Sequence, residues 1–261
     1  MDVRVIGIDG DAAAVERARR TPPALAPRFT AVRARFSELE TALRSLDVGQ
    51  VDGILADLGL SSTQLDDPTR GLSYDREGPL DMRLDPTRPE TADDRIARAD
   101  DATLAGWLAD LGELPKARAA ARAIRRKRDE LGGLTTRTLR EALEPLYPGP
   151  QRSRRLAQAF QAIRMVVNEE LEELRALLDA AARVVRPGGT LVIISYHSLE
   201  DRMVKHAFRA PRPLDAWITP PEELWEPLTP KPIRPSEEEI HENPRAGSAK
   251  LRVGRRRGAA R

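Results

Sequence analysis

Apolar runs alternate with amphipathic segments in the first sixty residues, which is the pattern of strands separated by helices. The runs are short and rich in Val and Ile, as in parallel strands that are covered on both faces. The predicted strands are Val3–Ile8, Phe29–Val32 and Val51–Asp57, and the predicted helices between them are Ala12–Arg20 and Ser37–Leu46, the second capped by Ser37 with Glu40. This order predicts an α/β fold with a doubly wound sheet.

The strand pattern is interrupted in the middle of the chain. Residues 58–89 are rich in Gly, Pro, Asp and Ser and have no sustained period, which predicts a long loop of the kind that carries function. Helical sequence follows over Thr91–Tyr147, then one long helix is predicted over Ser153–Val185 and a fourth strand over Thr190–Ser195. We therefore expect a helical insertion in an α/β domain. The predicted domains are 1–90 and 151–261 for the two α/β parts and 91–150 for the insertion.

The end of the chain is predicted to hold a helix, a loop and a strand. The helix is expected over Ser198–Arg209, the proline-rich loop over Pro211–Pro235 and a last edge strand over Lys250–Val253. From Arg245 to Arg261 there are seven basic residues and no acidic one. The residues expected to form a loose basic tail are Arg255, Arg256, Arg257 and Arg261.

Composition excludes several classes of protein. The chain has no cysteine, which excludes a disulfide scaffold and a cysteine nucleophile, and its three histidines lie at no metal-ligand spacing, so we expect no metal site. No apolar run is long enough to span a bilayer and the N-terminus has no signal-peptide pattern, so we expect a cytoplasmic protein without a membrane partner. Of 43 basic residues 38 are arginine. This bias suits phosphate recognition, although an arginine-rich proteome explains it equally well.

Polar residues end three of the predicted strands. Asp9 ends the first, Asp57 the third, and Ser195–Ser198 the fourth. Ligands of open α/β sheets bind beyond the carboxyl ends of the strands, where a carboxylate can accept hydrogen bonds from a ribose diol. Each residue alone has a simpler explanation as a helix cap, but the three together favour a binding site.

The segment after the fourth strand allows two interpretations. His197 could contact a base or be a hydrogen-bonded structural histidine. Ser198 and Asp201 have the spacing of a capping box, which explains them without chemistry. Arg202 has no acidic residue three or four positions away, so a phosphate contact and a pairing with another element are equally good explanations.

Long motifs in this chain resemble the bacterial 16S rRNA (cytosine-N4) methyltransferases of the RsmH type. The matching segments are Asp52–Asp67, Arg70–Tyr74, Gly78–Arg83, Phe160–Arg164, Val167–Leu171, Ser195–Arg202 and Glu242–Arg252. The resemblance implies a class I S-adenosylmethionine-dependent methyltransferase fold, Rossmann-like, with a helical insertion. It also implies methylation of the N4 amine of a cytidine in the decoding region of 16S rRNA, with 16S rRNA or the small ribosomal subunit as partner.

The resemblance also implies roles for individual residues. The implied cofactor contacts are Asp9 at the ribose hydroxyls, Phe36 near the adenine, Asp57 and Gln64. The candidates for substrate binding are Ser61, Ser62, His197, Ser198 and Arg202, and Lys116–Arg128 and the basic tail are candidates for contacts with the RNA backbone. No catalytic residue is assigned, because transfer from a sulfonium needs alignment more than a general base.

The chain departs from the family pattern before Asp9. Family members begin with a strand and a glycine-rich turn that holds the methionine end of the cofactor, and we expect this first strand to be absent here. We therefore expect impaired cofactor binding by the 261-residue form. Two hypotheses stay open: a methyltransferase whose N-terminus is missing, and a non-catalytic short form that binds RNA or ribosomal subunits. A dinucleotide oxidoreductase is a distant third, because no glycine fingerprint is present.

Overall fold

A computed structural model describes residues 3–20, 26–209 and 224–258, and the strands in these ranges form two sheets. The first sheet has two parallel strands, β1 (Val5–Asp9) and β2 (Phe29–Arg33), with Asp9 opposite Arg33. The second contains β3 (Val51–Asp57), β4 (Val185–Ser195), β5 (Trp225–Pro227) and β6 (Lys250–Arg256) in the order β3-β4-β6-β5. The predicted α/β class is confirmed.

Strand β6 is not the edge strand that its position near the end of the chain predicts. It pairs antiparallel with β4 on one side and with β5 on the other, and β5 arises from the second half of the predicted proline-rich loop. Arg255 and Arg256 belong to this strand, so the prediction that they form a loose tail is wrong. The Arg256 guanidinium donates to the carbonyl oxygen of Ala182 at 2.5 Å. Arg261 and residues 211–223 of the predicted loop lie outside the described residues.

Eleven α-helices are present in the described ranges. They are α1 (Ala12–Arg19), α2 (Leu39–Arg44), α3 (Ser62–Asp66), α4 (Ala92–Arg98), α5 (Asp101–Gly106), α6 (Ala117–Leu131), α7 (Thr136–Leu143), α8 (Arg152–Asn168), α9 (Glu170–Val184), α10 (Ser198–Ala207) and α11 (Glu237–Glu242). None of these helices is both long and apolar enough to cross a membrane.

The chain divides into two compact units. We call the described residues of 1–9, 13–59 and 171–261 the sheet unit, and residues 10–12 and 60–170 the helical unit. These bounds differ from the predicted domain boundaries at 90/91 and 150/151, and the domain assignment stays a prediction. Each unit has its own apolar core, built mainly on α9, β3 and β4 in the sheet unit and on the helices α4 to α8 in the helical unit.

The single helix predicted over Ser153–Val185 is wrong, because the helix breaks at Glu169. Glu169 has a left-handed backbone, with φ 54° and ψ 41°, which ends α8. The preceding residue, Asn168, is buried, and its amide donates to the carbonyl oxygen of Met82 and accepts from the backbone N–H of Leu84, both at 2.8 Å. The break therefore has a cause that lies eighty residues away in sequence.

Strands β1, β2 and β3 are each paired on one side only among the described residues. In the described residues β1 pairs only with β2, and β3 pairs in parallel only with β4. On β3, 69% of the surface of Leu55 is exposed, although parallel strands are normally covered on both faces.

Candidate active site

Two exposed carboxylates stand at the carboxyl ends of parallel strands in the sheet unit. Asp9 is the last residue of β1, and its backbone carbonyl accepts a hydrogen bond from Ala34 at 3.2 Å. Asp57 is the last residue of β3, and its Oδ1 accepts from the backbone N–H of Gly59 at 3.2 Å. Both side chains are thus presented at strand ends, as the sequence predicts, and both can accept hydrogen bonds from a hydroxyl or an amine.

Phe36 begins a short 3₁₀ turn after β2, and its partly buried ring packs against the core of the sheet unit. The turn is capped by Glu38, which accepts from the backbone N–H of Arg35 at 2.8 Å. Glu173 of α9 forms an ion pair with the Arg35 guanidinium at 2.8 Å, so α9 fixes the start of the turn.

The cap predicted at Ser37 with Glu40 is wrong. The backbone N–H of Ser37 donates to Glu173 at 3.0 Å, and Glu40 instead pairs with Arg183.

Tyr196 lies against the turn that follows β3, and the sequence analysis did not identify it as a site residue. A Cβ atom on Gly59 would stand 2.9 Å from Cζ of the Tyr196 ring and closer still to Cε2, so only glycine fits beneath this ring. Burial raises the pKa of Tyr196 to about 12, and the nearby negative charge of Asp57 adds to the effect. The only signal in the sequence is that Tyr196 and Gly59 each follow a predicted strand by one or two residues.

His197 caps helix α10. Its Nδ1 accepts from the backbone N–H of Glu200 at 3.4 Å, whereas its buried Nε2, 3.1 Å from the Glu200 carboxylate, makes no hydrogen bond among the described residues. The cap explains the position of Nδ1, and the contact of His197 with a base stays a prediction. Glu200 is itself buried, with 3% of its surface exposed.

The capping box predicted for Ser198 and Asp201 is wrong by one residue. Ser198 is the first residue of α10 rather than its cap. The Asp201 carboxylate instead accepts from the guanidinium of Arg252 on β6 at 2.7 Å.

Arg202 is exposed on the first turns of α10. In the described parts of the chain no ion pair or hydrogen bond of its guanidinium is found, so the pairing explanation gains no support there. Arg202 stays a candidate for a phosphate contact.

Gln64 and Ser61 form a capping box at the start of α3 in the helical unit. Ser61 Oγ accepts from the Gln64 backbone N–H at 3.2 Å, and Gln64 Oε1 accepts from the Ser61 backbone N–H at 3.0 Å. Gln64 Nε2 donates to Asp11 at 3.0 Å, and Arg70 donates to the same Asp11 oxygen at 2.5 Å. Both ends of the Gln64 side chain are therefore engaged within the protein, whereas Ser62 is exposed at the first position of α3.

The basic run over Lys116–Arg128 is largely neutralised by acidic residues of the same unit. The pairs are Arg125–Asp101 at 2.6 Å, Arg126–Glu130 at 3.8 Å, Lys127–Glu141 at 3.4 Å and Arg128–Asp93 at 3.0 Å. Arg118 and Arg122 are exposed on α6, and no acidic partner of either is present among the described residues. Lys116 likewise has no acidic partner in the described ranges and only approaches the carbonyl oxygen of Leu146 at 3.5 Å. Contact of this run with the RNA backbone stays a prediction.

The predicted site residues thus fall in two units. The sheet unit holds Asp9, Phe36, Asp57, His197, Ser198 and Arg202, and the helical unit holds Ser61, Ser62 and Gln64. Within the sheet unit the structure brings Asp57 and Gly59 of one strand end to Tyr196 of another. This is the arrangement that open α/β sheets use for ligand binding.

Comparison with known proteins gives consistent matches along the whole chain. A family model described as the MraW methylase family matches residues 1–257. The chain is 48% identical to a protein named ribosomal RNA small subunit methyltransferase H from Sorangium cellulosum, over 98% of this chain and 79% of that protein. It is 38% identical to a protein of the same name from Carboxydothermus hydrogenoformans, over 97% of this chain and 84% of that protein.

Proposed function

The chain belongs to the MraW methylase family, and from this membership we propose that it is an S-adenosylmethionine-dependent methyltransferase of small-subunit ribosomal RNA. The names of its relatives support the reaction and the substrate class. The observation in the structure that carries the proposal is the strand end at Asp57. An exposed carboxylate there accepts from the backbone N–H of a glycine turn, and the ring of Tyr196, which follows the neighbouring strand, packs against this turn.

The residues present fit S-adenosylmethionine in part. Asp9 and Asp57 supply carboxylates at strand ends for hydroxyl or ammonium groups, and Phe36 supplies a partly exposed ring for an adenine. Gln64 fits less directly, because its amide already bonds to Ser61 and Asp11.

The finer proposal is methylation of the N4 amine of a cytidine in the decoding region of 16S rRNA. When bound, S-adenosylmethionine supplies an electrophilic methyl group. Asp57 accepts a hydrogen bond from the amine as positive charge develops on nitrogen. The proton can leave to solvent after transfer, so no residue is assigned as general base.

Methyl transfer from radiolabelled S-adenosylmethionine to unmethylated small ribosomal subunits tests the proposal. We expect Asp57→Asn to lower kcat about 100-fold, a typical effect of losing one positioned group that stabilises developing charge. Asp52→Asn is the matched control, because Asp52 lies on the same strand and pairs with Arg186 instead. Equal activity of both variants would contradict the role of Asp57.

We further propose that the 261-residue chain binds S-adenosylmethionine weakly. Residues 1–8 contain one glycine, Gly7, and this glycine lies inside β1 rather than in a turn. In the family, the backbone N–H groups of a glycine-rich turn approach the methionine end of the cofactor. Residues 1–8 do not supply such N–H groups. Isothermal titration calorimetry should give a dissociation constant near or above the millimolar range, and micromolar binding would contradict this proposal.

The alternative function is RNA or subunit binding without catalysis. Among the described residues, Arg118, Arg122 and Arg202 have no acidic partner. This observation supports RNA binding without catalysis as much as it supports catalysis. Binding of small subunits without methyl transfer, even at saturating cofactor, would support the alternative. Methyl transfer at high cofactor concentration would exclude it.

A further inference from the structure

A cavity of about 190 Å³ lies in the sheet unit beside the C-terminal end of α10. Three cationic side chains line it, those of Lys205, Arg209 and Arg252, together with Thr229 and with phenylalanine and proline side chains. None of the described residues that line the cavity is acidic. Positive charge and hydrogen-bond donors without a carboxylate suit an anion such as a phosphate group.

Arg252 lines the cavity in a fixed orientation. Its Nε and Nη2 donate to the Asp201 carboxylate at 2.7 and 3.3 Å, and 7% of the residue is exposed. Its Nη1 makes no hydrogen bond with any described residue. The Lys250 ammonium lies 3.6 Å from the same carboxylate, so two cations face one anion and the cluster stays positive.

The other polar groups of the cavity also keep donors available. Thr229 Oγ1 accepts from the backbone N–H of Val253 at 3.0 Å, so its hydroxyl hydrogen can still be donated. Lys205 is half-buried and Arg209 is exposed, and neither side chain has an ion pair or a hydrogen bond in the described ranges. The N–H of Arg209 donates to the carbonyl of His206 at 3.2 Å, so the chain keeps a helical course up to Arg209.

The positive surface continues along α10 from the cavity. Arg202, Lys205 and Arg209 are spaced at i, i+3 and i+7, which places them on one side of the helix over about 10 Å of its axis. Cations in the last turn also stabilise a helix through its dipole. The dipole accounts for Lys205, but it does not account for Arg202 in the second turn or for Arg252 of β6 in the same cavity wall.

We propose that this cavity binds a phosphate group of an RNA strand and that the adjoining backbone of the strand follows Arg202, Lys205 and Arg209. Such contacts position the RNA and do not read its sequence. The choice of RNA as the partner rests on the proposed function, whereas phosphate binding in the cavity requires no methyl transfer.

Filter binding of 16S rRNA without cofactor tests the surface. We expect Lys205→Ser with Arg209→Ser to reduce the slope of log K against log salt by about 2, one for each lost phosphate contact. Between about 50 and 200 mM salt, the wild type should therefore lose about tenfold more affinity than the double variant.

Two control variants separate local contacts from net charge and from folding. Arg183→Ser with Arg186→Ser removes the same charge from the sheet unit, but each of these arginines pairs with an acidic residue at 2.5 Å, so the slope should change by less than half as much. Lys205→Arg with Arg209→Lys keeps both charges and should keep the wild-type slope. A lower Tm of the serine variant with unchanged RNA binding would reduce Lys205 and Arg209 to helix stabilisation and overturn the proposal.

The cavity itself is tested by NMR with ¹⁵N-labelled arginine. The Nε–H resonance of Arg252, assigned with Arg252→Lys, should shift saturably on titration with a short single-stranded RNA, and at higher concentration with inorganic phosphate. Both shifts should be lost in the Lys205→Ser, Arg209→Ser variant. A shift with inorganic phosphate alone would overturn RNA as the occupant, and no shift with either probe would overturn the site.

These measurements are independent of methyl transfer. Equal salt slopes for the serine variant and the wild type would overturn the proposed surface even in a chain that methylates ribosomal subunits. A chain that binds RNA through this surface but transfers no methyl group would support the surface and contradict the proposed function.

Discussion

At the scale of single residues, the charge state of the Asp201 carboxyl affects the stability of the sheet unit. Its carboxylate accepts from the Arg252 guanidinium at 2.7 and 3.3 Å, and the Lys250 ammonium lies 3.6 Å away. Burial alone would raise the pKa of Asp201, but the hydrogen bonds and positive charges of Arg252 and Lys250 lower it below the ordinary value of an aspartate. A lowered folded-state pKa stabilises the fold above the unfolded-state pKa, and this contribution is lost as the pH falls through the folded-state value.

We expect Asp201→Asn to lower the free energy of unfolding by about 2 kcal/mol at neutral pH, because Arg252 stays buried without its charged partner. The difference from wild type should shrink as the pH falls from the unfolded-state pKa, about 4, through the lower folded-state pKa, below which the wild-type carboxyl is also neutral. Urea unfolding at a series of pH values measures it. The exposed Asp179→Asn should change stability by less than about 0.5 kcal/mol. A difference for Asp201→Asn that persists at low pH would contradict the assignment.

The same residue shows why caps are hard to predict from sequence. The segment contains both Ser198 with Asp201 and His197 with Glu200 at capping spacing, and local spacing cannot choose between them. The choice is made by Arg252, which lies 51 residues from Asp201 and binds its carboxylate. Asp9 and Asp57 were easier to predict, because a polar residue that ends a short apolar run is a local signal.

At the scale of elements, the strands with continuous apolar sequence were predictable, and the irregular features were not. β1, β2, β3 and β4 begin or end within a few residues of their predicted bounds, except that β4 starts five residues early at Val185. The short strand β5 lies in proline-rich sequence and forms because it pairs with the edge of β6, which is distant in sequence. The break at Glu169 likewise depends on the contacts of Asn168 with the segment around Met82.

Helix α6 allows a test of RNA contact by two arginines without acidic partners among the described residues. We expect Arg118→Ser with Arg122→Ser to weaken binding of 16S rRNA and to reduce the slope of log K against log salt by about 2, one for each lost phosphate contact. Filter binding at several salt concentrations measures both quantities.

The matched control for this double variant is Lys127→Ser, on the same helix, where the ammonium already pairs with Glu141 at 3.4 Å. Lys127→Ser should change the slope of log K against log salt by less than half as much as the double variant does. Equal slopes for the double variant and wild type would show that this face of α6 does not contact the backbone of the RNA.

At the scale of the whole molecule, the sequence predicted a helical insertion but not the extent of the compact unit that contains it. The helical unit includes residues 60–90, which composition assigned to a loop of the α/β part. Leu72, Leu80 and Met82 of this segment are buried in the core of the helical unit. Isolated apolar residues among Gly, Pro and Asp have no period, so their burial could not be predicted from local pattern.

The two units have separate apolar cores, so each can lose its packing on its own. We therefore predict that the chain does not unfold in a single two-state transition. Asn168→Ala removes a buried amide, so the Met82 carbonyl and the Leu84 N–H lose their hydrogen bonds to it. We expect this change to lower the free energy of unfolding of the helical unit by about 2 kcal/mol. Scanning calorimetry should therefore show Asn168→Ala lowering the Tm of one transition and Asp201→Asn lowering that of the other. The exposed Gln50→Ala should shift neither. One transition lowered by both variants would mean that the two cores melt as a unit, and the division of the chain would then have no thermodynamic counterpart.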